Sequence, residues 1–255
     1  MDSVKISVVI ITLNEERNIQ RCIDSVKDVV DEIVIVDSFS TDKTEEICRS
    51  NDVIFFQHAW EGFGKQRNWG VGQASYDYIL SLDADEILSN ELKKAILGIK
   101  KKWQYDVYSF NRLWYIHGKK LKYSLYPDRQ YRLFDRRKTK WNEMIVHEKL
   151  IIGKGTTLKC IHEDIIHFSK NIHELVDSLN NYSTLSAKYS YEMGKKPNVI
   201  KLISSPIFSF VKYYFIKLGF LDGYFGFMIC LIFAHYSFLK YAKLIDFYKI
   251  NKQIR

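Results

Sequence analysis

The chain has 255 residues, 47% hydrophobic and 27% charged, enough for one large or two small domains with a proper core. Its four cysteines, Cys22, Cys48, Cys160 and Cys230, are scattered with no Cys-x-x-Cys pair. That argues against a zinc site or a redox dithiol and fits a reducing compartment. The net charge of +8 lies entirely in residues 195–255, where ten Lys or Arg stand against Asp222 and Asp246, while residues 1–194 balance at 28 against 28. A neutral body with a basic, aromatic tail points to an anionic membrane surface rather than to nucleic acid.

In chain order, Lys5 to Ile11 reads as a strand running into Asn14-Glu15-Glu16, which is a strand and turn and not a signal peptide. Ile19, Cys22, Ile23 and Val26 follow at helical spacing. Glu32 to Val36 is a second strand ending in Asp37, and Ser40 or Thr41 can cap the helix carrying Thr44 to Arg49. Val53 to Phe56 is a third strand, and a glycine-punctuated segment covers Gly62 to Gly72. Tyr78 to Leu82 is a fourth strand, with a helix from Ser89 to Lys100. Alternating strands and helices at this spacing predict an α/β fold with a mainly parallel, Rossmann-like sheet flanked by helices. Beyond Asp106, strands are expected over Val107–Ile116, Tyr131–Phe134, Met144–Ile152 and Ile161–Phe168, and a helix over Asn171–Met193.

The apolar run Tyr78 to Leu82 breaks off into Asp83-Ala84-Asp85-Glu86. Ligands of open α/β sheets bind beyond the carboxyl ends of such strands. Clustered carboxylates there suit a hard cation, Mg²⁺ or Mn²⁺, that shares its remaining ligands with substrate phosphates. The plainer reading is an acidic helix start with Glu86 and Ser89 as caps. Two further strand ends carry polar groups, Thr12-Leu13-Asn14-Glu15 and Asp37-Ser38-Phe39-Ser40-Thr41-Asp42, and all three belong at one edge of the sheet.

These pieces, with Gly64-Lys65-Gln66-Arg67-Asn68, resemble the nucleotide-sugar-binding half of family 2 inverting glycosyltransferases, which have the GT-A fold. A further resemblance to bacterial lipopolysaccharide-core β-glucosyltransferases is carried by Asp128-Arg129-Gln130, Arg132-Leu133-Phe134, Val146-His147-Glu148, Asp222-Gly223 and Lys240-Tyr241. The resemblance implies transfer of a hexose from UDP-glucose or a similar donor to a lipopolysaccharide-core or related envelope glycolipid. It places Asp85 on Mg²⁺ or Mn²⁺ and Asp83 near the ribose or a metal-bound water. Thr12, Asn14 and Glu15 would line the base and ribose, and Asp37 would accept from the N3–H of uracil. Lys65, Arg67 and Asn68 would meet the diphosphate or sugar; the alternative for them is a solvated helix face.

The chain departs from the family's usual Glu-Asp pair, with His147-Glu148 at that place. Glu148 is the expected base and His147 a metal or diphosphate ligand, with Asp135, Glu143 and Asp164 as rivals for the base. Arg129 and Arg132 suit acceptor phosphates or, equally, surface ion pairs. The implied division is a catalytic domain over 1–194, with a donor half at 1–105 and an acceptor half at 106–194, and a helical membrane-associating appendage over 195–255. Gly223 to Leu239 is 17 residues without Asp, Glu, Lys or Arg, short for a span and suited to an interfacial helix. The expected location is therefore cytoplasmic, peripheral on the inner face of the membrane. The competing readings are a transferase acting on a polyprenyl-linked capsule or O-antigen intermediate, and a nucleic-acid-binding module, which the neutral 1–194 region opposes.

Overall fold

The computed structural model describes residues 3–144, 148–168 and 171–253. The chain divides into two compact units. One comprises residues 1–113 and 128–168, the other residues 114–127 and 169–255.

The first unit is built on β1 (Ile6–Thr12), β2 (Glu32–Asp37), β3 (Ile54–Gln57) and β4 (Tyr78–Asp83), with α1 (Ile19–Val26), α2 (Thr44–Arg49) and α3 (Phe63–Gln73) between them. These four strands are parallel and lie in the order β3-β2-β1-β4. The chain continues through β5 (Glu86–Leu88), α4 (Asn90–Lys101), β6 (Val107–Ile116), β7 (Lys119–Leu121), β8 (Arg129–Asp135) and β9 (Leu158–Phe168). Here the pairing turns antiparallel, β4 with β8, β8 with β6, and β9 with β5. The parallel part is thus four strands of a nine-stranded mixed sheet.

Burial on both faces explains the unbroken apolar run over residues 8–11 of β1. Val8 and Ile10 pack with Ile19, Cys22, Ile23 and Val26 of α1. Val9 and Ile11 pack on the other face with Val34, Val36, Phe134 and Trp141. Each such aliphatic contributes about 1.5–3 kcal/mol relative to exposure. The glycine-punctuated segment is the helix α3, and Gly64 and Gly70 in it allow close packing. A Cβ on Gly70 would stand 2.6 Å from Val9 Cγ1 and 2.8 Å from Val36 Cγ2, so the helix lies directly on β1 and β2. Ser89 caps α4 by accepting from Leu92 N–H at 3.2 Å. Glu86 is not a cap; it opens β5, a strand absent from the sequence reading.

The strand expected over Met144–Ile152 does not form among the described residues. Its ends close a loop instead: Trp141 bridges Leu150, Asn142 N–H donates to Lys149 O at 2.9 Å, and Ile151 N–H donates to Lys140 O at 2.8 Å.

The second unit holds α5 (Ile172–Glu192), α6 (Val199–Val211), a π-helical turn (Lys212–Ile216), a 3-10 turn (Gly219–Asp222) and α7 (Gly223–Gln253). Ile116, Leu121 and Leu125 of the 114–127 segment share a core with Leu175 and Ile229. Asp222 pins that segment. It accepts from the backbone N–H groups of Lys122 (2.9 Å), Tyr123 (3.2 Å) and Ser124 (2.8 Å) and from Ser124 Oγ (2.8 Å). Two helical stretches, Val199–Ile216 and Gly219–Ile250, are long and apolar enough to cross a membrane. They differ in degree of burial: Ile229, Cys230 and Ala234 of α7 are buried while its Tyr224, Phe227, Leu231 and Phe238 are exposed, whereas Val199, Ile200, Ile203, Ile207 and Phe208 of α6 are all exposed.

Candidate active site

Register brings the three polar strand ends together. Thr12 is paired with Asp37 across β1 and β2, and Ile11 with Asp83 across β1 and β4. The loops after β1 and β2 are laced to each other. Asn14 N–H donates to Ser40 Oγ at 2.8 Å, and Asn14 Oδ1 accepts from Thr41 N–H at 2.8 Å. Glu15 N–H donates to Thr44 Oγ1 at 2.8 Å, and Glu16 N–H to Asp42 at 3.1 Å. Asn14 and the exposed Phe39 both adopt left-handed backbone, with φ of 54° and 62°. Such strain persists only where the surroundings fix it, here by the lacing. Asp37 is fully buried and takes hydrogen bonds from the Ser40 N–H (2.8 Å) and hydroxyl. Thr12 Oγ1 is buried without a hydrogen-bond partner among the described residues.

Beyond β4 the chain turns because Asp83 N–H donates to Glu86 Oε2 at 3.0 Å, a bond that draws the Glu86 carboxylate inward. Around this turn lies a cluster of carboxylates and guanidiniums. Arg67, buried on α3, reaches Ser81 Oγ at 3.0 Å, Asp83 Oδ1 at 2.6 Å and Glu148 Oε1 at 3.6 Å. Arg132, buried on β8, reaches Asp83 Oδ2 at 3.0 Å and Glu86 Oε1 at 2.7 Å. Arg112 pairs with Asp128 at 2.7 Å and lies 3.7 Å from Glu86. Burial works against charge on Asp83, but Arg67, Arg132 and Arg112 outweigh it and hold the carboxyl well below the usual range. Burial, with Asp83 alongside, pushes Glu86 up in spite of Arg132. Arg132 is raised: burial opposes its charge, and Glu86 and Asp83 more than offset that.

Asp85 points to a different neighbour. Its Oδ1 lies 3.3 Å from Nδ1 of His167, which the β5–β9 pairing sets opposite Glu86. Phe168 N–H donates to Asp85 O at 2.9 Å. Burial disfavours the His167 cation, but the Asp85 carboxylate outweighs it and raises the imidazole above its ordinary value. Arg21 of α1 stacks 3.6 Å over the Phe168 ring. Burial lowers its pKa, while Asp85 and Glu15 work the other way.

The sequence-expected residues therefore divide. Thr12, Asn14, Glu15, Asp37, Asp83, Asp85 and Glu148 lie on β1, β2 and β4 ends or on the Arg67 cluster. Lys65 is exposed and pairs with Glu61 at 3.1 Å, the solvated-face arrangement. Asn68, expected on the donor, spends both amide atoms on the backbone of Trp141, donating to its O at 2.8 Å and accepting from its N–H at 3.0 Å. Arg132, expected on acceptor phosphates, is enclosed by carboxylates, and Arg129 is exposed at the start of β8. Asp135 pairs with Arg137 at 2.7 Å and is in register with Tyr78, at the opposite end of β4 from Asp83. Glu143 is exposed, and the backbone carbonyl of Asp164 accepts from Ser89 N–H at 3.1 Å. His147 lies outside the described residues. The sequence names Glu86 in the acidic cluster but does not mark Arg112, Arg21 or His167 as members of the site. For His167 the one available signal was its place at the end of the expected Ile161–Phe168 strand.

Parallel strand ends converge on a charged turn, and an antiparallel half-sheet returns an imidazole to the same turn. The chain belongs to glycosyl transferase family 2, whose family description, "Glycosyl transferase family 2", matches residues 7–162. It is 33% identical over 253 residues to an uncharacterized glycosyltransferase of Rickettsia bellii (strain RML369-C), covering 94% of this chain and 86% of that protein. It is 31% identical over 252 residues to the lipopolysaccharide core biosynthesis glycosyltransferase LpsC of Rhizobium meliloti (strain 1021), covering 94% and 91%. Among solved structures, S. aureus TarS 1-349 in complex with UDP-GlcNAc superposes with a TM-score of 0.49 at 13% identity over 96% of this chain and 92% of that one.

Proposed function

We propose that this protein is an inverting, divalent-metal-dependent hexosyltransferase. It would move a sugar from UDP-glucose or a similar UDP-hexose to a lipopolysaccharide-core or related envelope glycolipid. The observation that supports the reading is Arg67 joining Asp83, at the end of β4, to Glu148, the expected base. One guanidinium then couples the donor side of the site to the carboxylate that acts on the acceptor. The relative named for lipopolysaccharide core biosynthesis supports the acceptor class.

Asp85 and His167, one oxygen and one nitrogen 3.3 Å apart, would be the residues to hold a divalent cation; no third His, Cys, Asp or Glu joins them among the described residues, so its remaining ligands would come from water and the donor diphosphate. Bound there, Mg²⁺ or Mn²⁺ would supply Lewis-acid stabilisation of the leaving diphosphate. The protein's own groups do the rest. The Thr12 hydroxyl and the laced Asn14–Glu15 loop receive the nucleoside, and Asp37 reads the uracil N3–H. Glu148 accepts the proton of the attacking acceptor hydroxyl, which adds on the face opposite the departing UDP and inverts the anomeric carbon. Residues 1–194 carry this chemistry and residues 195–255 associate with the cytoplasmic face of the membrane, where a lipid-linked acceptor presents its sugar.

The test is a thermal-shift panel of UDP-, GDP- and CDP-sugars, each with and without Mn²⁺, followed by transfer assays on core-oligosaccharide lipid. A UDP-hexose should raise Tm only with Mn²⁺. Equal stabilisation by GDP- and UDP-sugars, or full transfer in chelator, overturns the reading.

A further inference from the structure

Between α6 and α7 in the second unit runs a groove of about 550 Å³. One wall is the stripe Lys201, Ser204, Ser205 and Phe208 of α6 with Lys212 at the start of the π-helical turn, and Lys240 stands on the α7 wall. The spacing from Lys201 through Ser204, Ser205 and Phe208 to Lys212 is that of one helical face. The adjacent face of the same helix, Ile200, Ile203, Ile207 and Val211, is apolar and exposed. Continuing past α6, Phe215, Ile216, Phe220 and Leu221 are also exposed. One helix therefore shows a cationic, hydroxyl-rich stripe beside an unpartnered apolar one.

The three lysines have no acidic counterpart. No carboxylate pairs with Lys201, Lys212 or Lys240 among the described residues. The two acids of this region are elsewhere: Asp222 is bound to the 122–124 amides, and Asp246 is exposed on α7 two turns beyond Lys240. By contrast Lys243, also on α7, is fully engaged, donating to Asn180 Oδ1, Ser183 Oγ and Thr184 Oγ1. Three ammonium groups around one groove repel one another, and a core-packing role would not select them. Ammonium and hydroxyl donors around a groove bordered by exposed isoleucines match a phosphodiester with acyl chains attached.

We infer that the α6–α7 groove is a binding site for the phosphate headgroup of an anionic phospholipid, with the Ile200–Val211 face entering the acyl boundary beside it. The inference rests on the membrane reading above and makes it specific. It moves the membrane-contacting element from Gly223–Leu239 to α6, and it predicts headgroup selectivity as well as adhesion. Pro206 and the serines of α6, which break the apolar run in sequence, then have a place on an interfacial helix that a spanning helix would not give them.

The experiment is flotation of the full chain with neutral phosphatidylcholine vesicles and with vesicles containing phosphatidylglycerol, at matched ionic strength. The wild type should bind the anionic vesicles at least about tenfold more tightly, since each lysine near the surface contributes roughly fivefold. Lys201→Ala/Lys212→Ala/Lys240→Ala should lose that preference and keep the neutral binding. Lys94→Ala/Lys101→Ala/Lys102→Ala, three lysines of the α4 region, should keep both. Absence of any preference in the wild type overturns the headgroup site, as does an equal loss in the α4-region variant. Binding to neither vesicle overturns the membrane reading itself, and the site with it.

Discussion

Arg67 Nη2 lies 2.6 Å from Asp83 Oδ1, a buried guanidinium on α3 holding a carboxylate sixteen residues further along the chain. Asp83 is thereby compensated from within the protein, by Arg67 on one oxygen and Arg132 on the other. Of the two aspartates in Asp83-Ala84-Asp85, only Asp85 faces away from these guanidiniums, toward an imidazole. Arg67→Ala should destabilise the fold by about 3–5 kcal/mol, because it strands buried carboxylates without their partner. Adding Asp83→Asn should restore part of the loss. Urea denaturation of the single and double variants measures this; additive losses would show that the pair is not coupled.

Glu148 stands at the far side of the same guanidinium. Glu148→Gln keeps the shape but cannot accept a proton, so UDP affinity should hold while turnover falls by roughly 10²–10⁴. Asp135→Asn, at the opposite end of β4, should leave turnover within a few fold. Loss of turnover in Asp135→Asn with Glu148→Gln active would reassign the base.

The loop that carries Glu148 is held against α3 by close backbone approach. A Cβ on Gly64 would overlap the carbonyl oxygen of Asn142, and that atom cannot swing away as a side-chain end would. Asn68 clamps the neighbouring Trp141 through two hydrogen bonds. Gly64→Ala and Asn68→Ala should both lower kcat by tenfold or more, with UDP binding changed by less than threefold. A variant that loses UDP binding and turnover in proportion would place these residues on the donor.

The strand ends were legible because buried parallel strands read as apolar runs, and the polar residue that stops each run marks the ligand edge. Thr12, Asp37 and Asp83 are found in that way. The partners of Asp83 were not legible, since Arg67 arrives from a helix whose glycines disguise it and Arg132 from an antiparallel strand 49 residues away. His167 depends on β9 pairing with β5, a three-residue strand too short to show a period. Asn68 fits its motif, yet a motif does not reveal that an amide has already been spent on a backbone. The exposed face of α6 was hidden by Pro206, which ends most helices but here lies within one.

Away from the site, Glu32 fastens the start of β2 to β1 and to the entry of β4. It accepts from Ser7 Oγ at 2.6 Å and from Ser75 N–H at 2.8 Å. Burial raises its pKa, but the Ser7 and Ser75 hydrogen bonds outweigh that and leave it below the ordinary 4.5. A depressed carboxylate stabilises the fold above its unfolded value and loses that contribution as pH falls through the folded value. Glu32→Gln should therefore cost stability at pH 7 and narrow its gap to wild type as the pH falls from 4.5 downward. Thermal unfolding across pH 3–7 measures the gap; a gap that stays constant with pH would remove Glu32 from the acid response.

The Asp85–His167 pair gives the metal proposal a readout independent of turnover. Both residues are well anchored: Asp85 O is bound by Phe168 N–H, and Glu86, next in sequence, is opposite His167 in the ladder. Replacing either side chain therefore leaves the turn in place, since Glu86 and Arg132 still hold it. Calorimetry of UDP binding with and without Mn²⁺ should show at least about tenfold tighter binding with the metal in the wild type, since the cation takes ligands from both protein and diphosphate. Asp85→Ala should lose that increment and keep the metal-free affinity. His167→Gln should lose most of it. Transfer by Asp85→Ala should fall at least about a hundredfold, the cost of several kcal/mol of leaving-group stabilisation. An Mn²⁺ increment that survives unchanged in Asp85→Ala would move the cation to other ligands. A wild type indifferent to Mn²⁺ and Mg²⁺ in both binding and transfer would leave Arg21, stacked on Phe168 beside Asp85, as the cation facing the diphosphate.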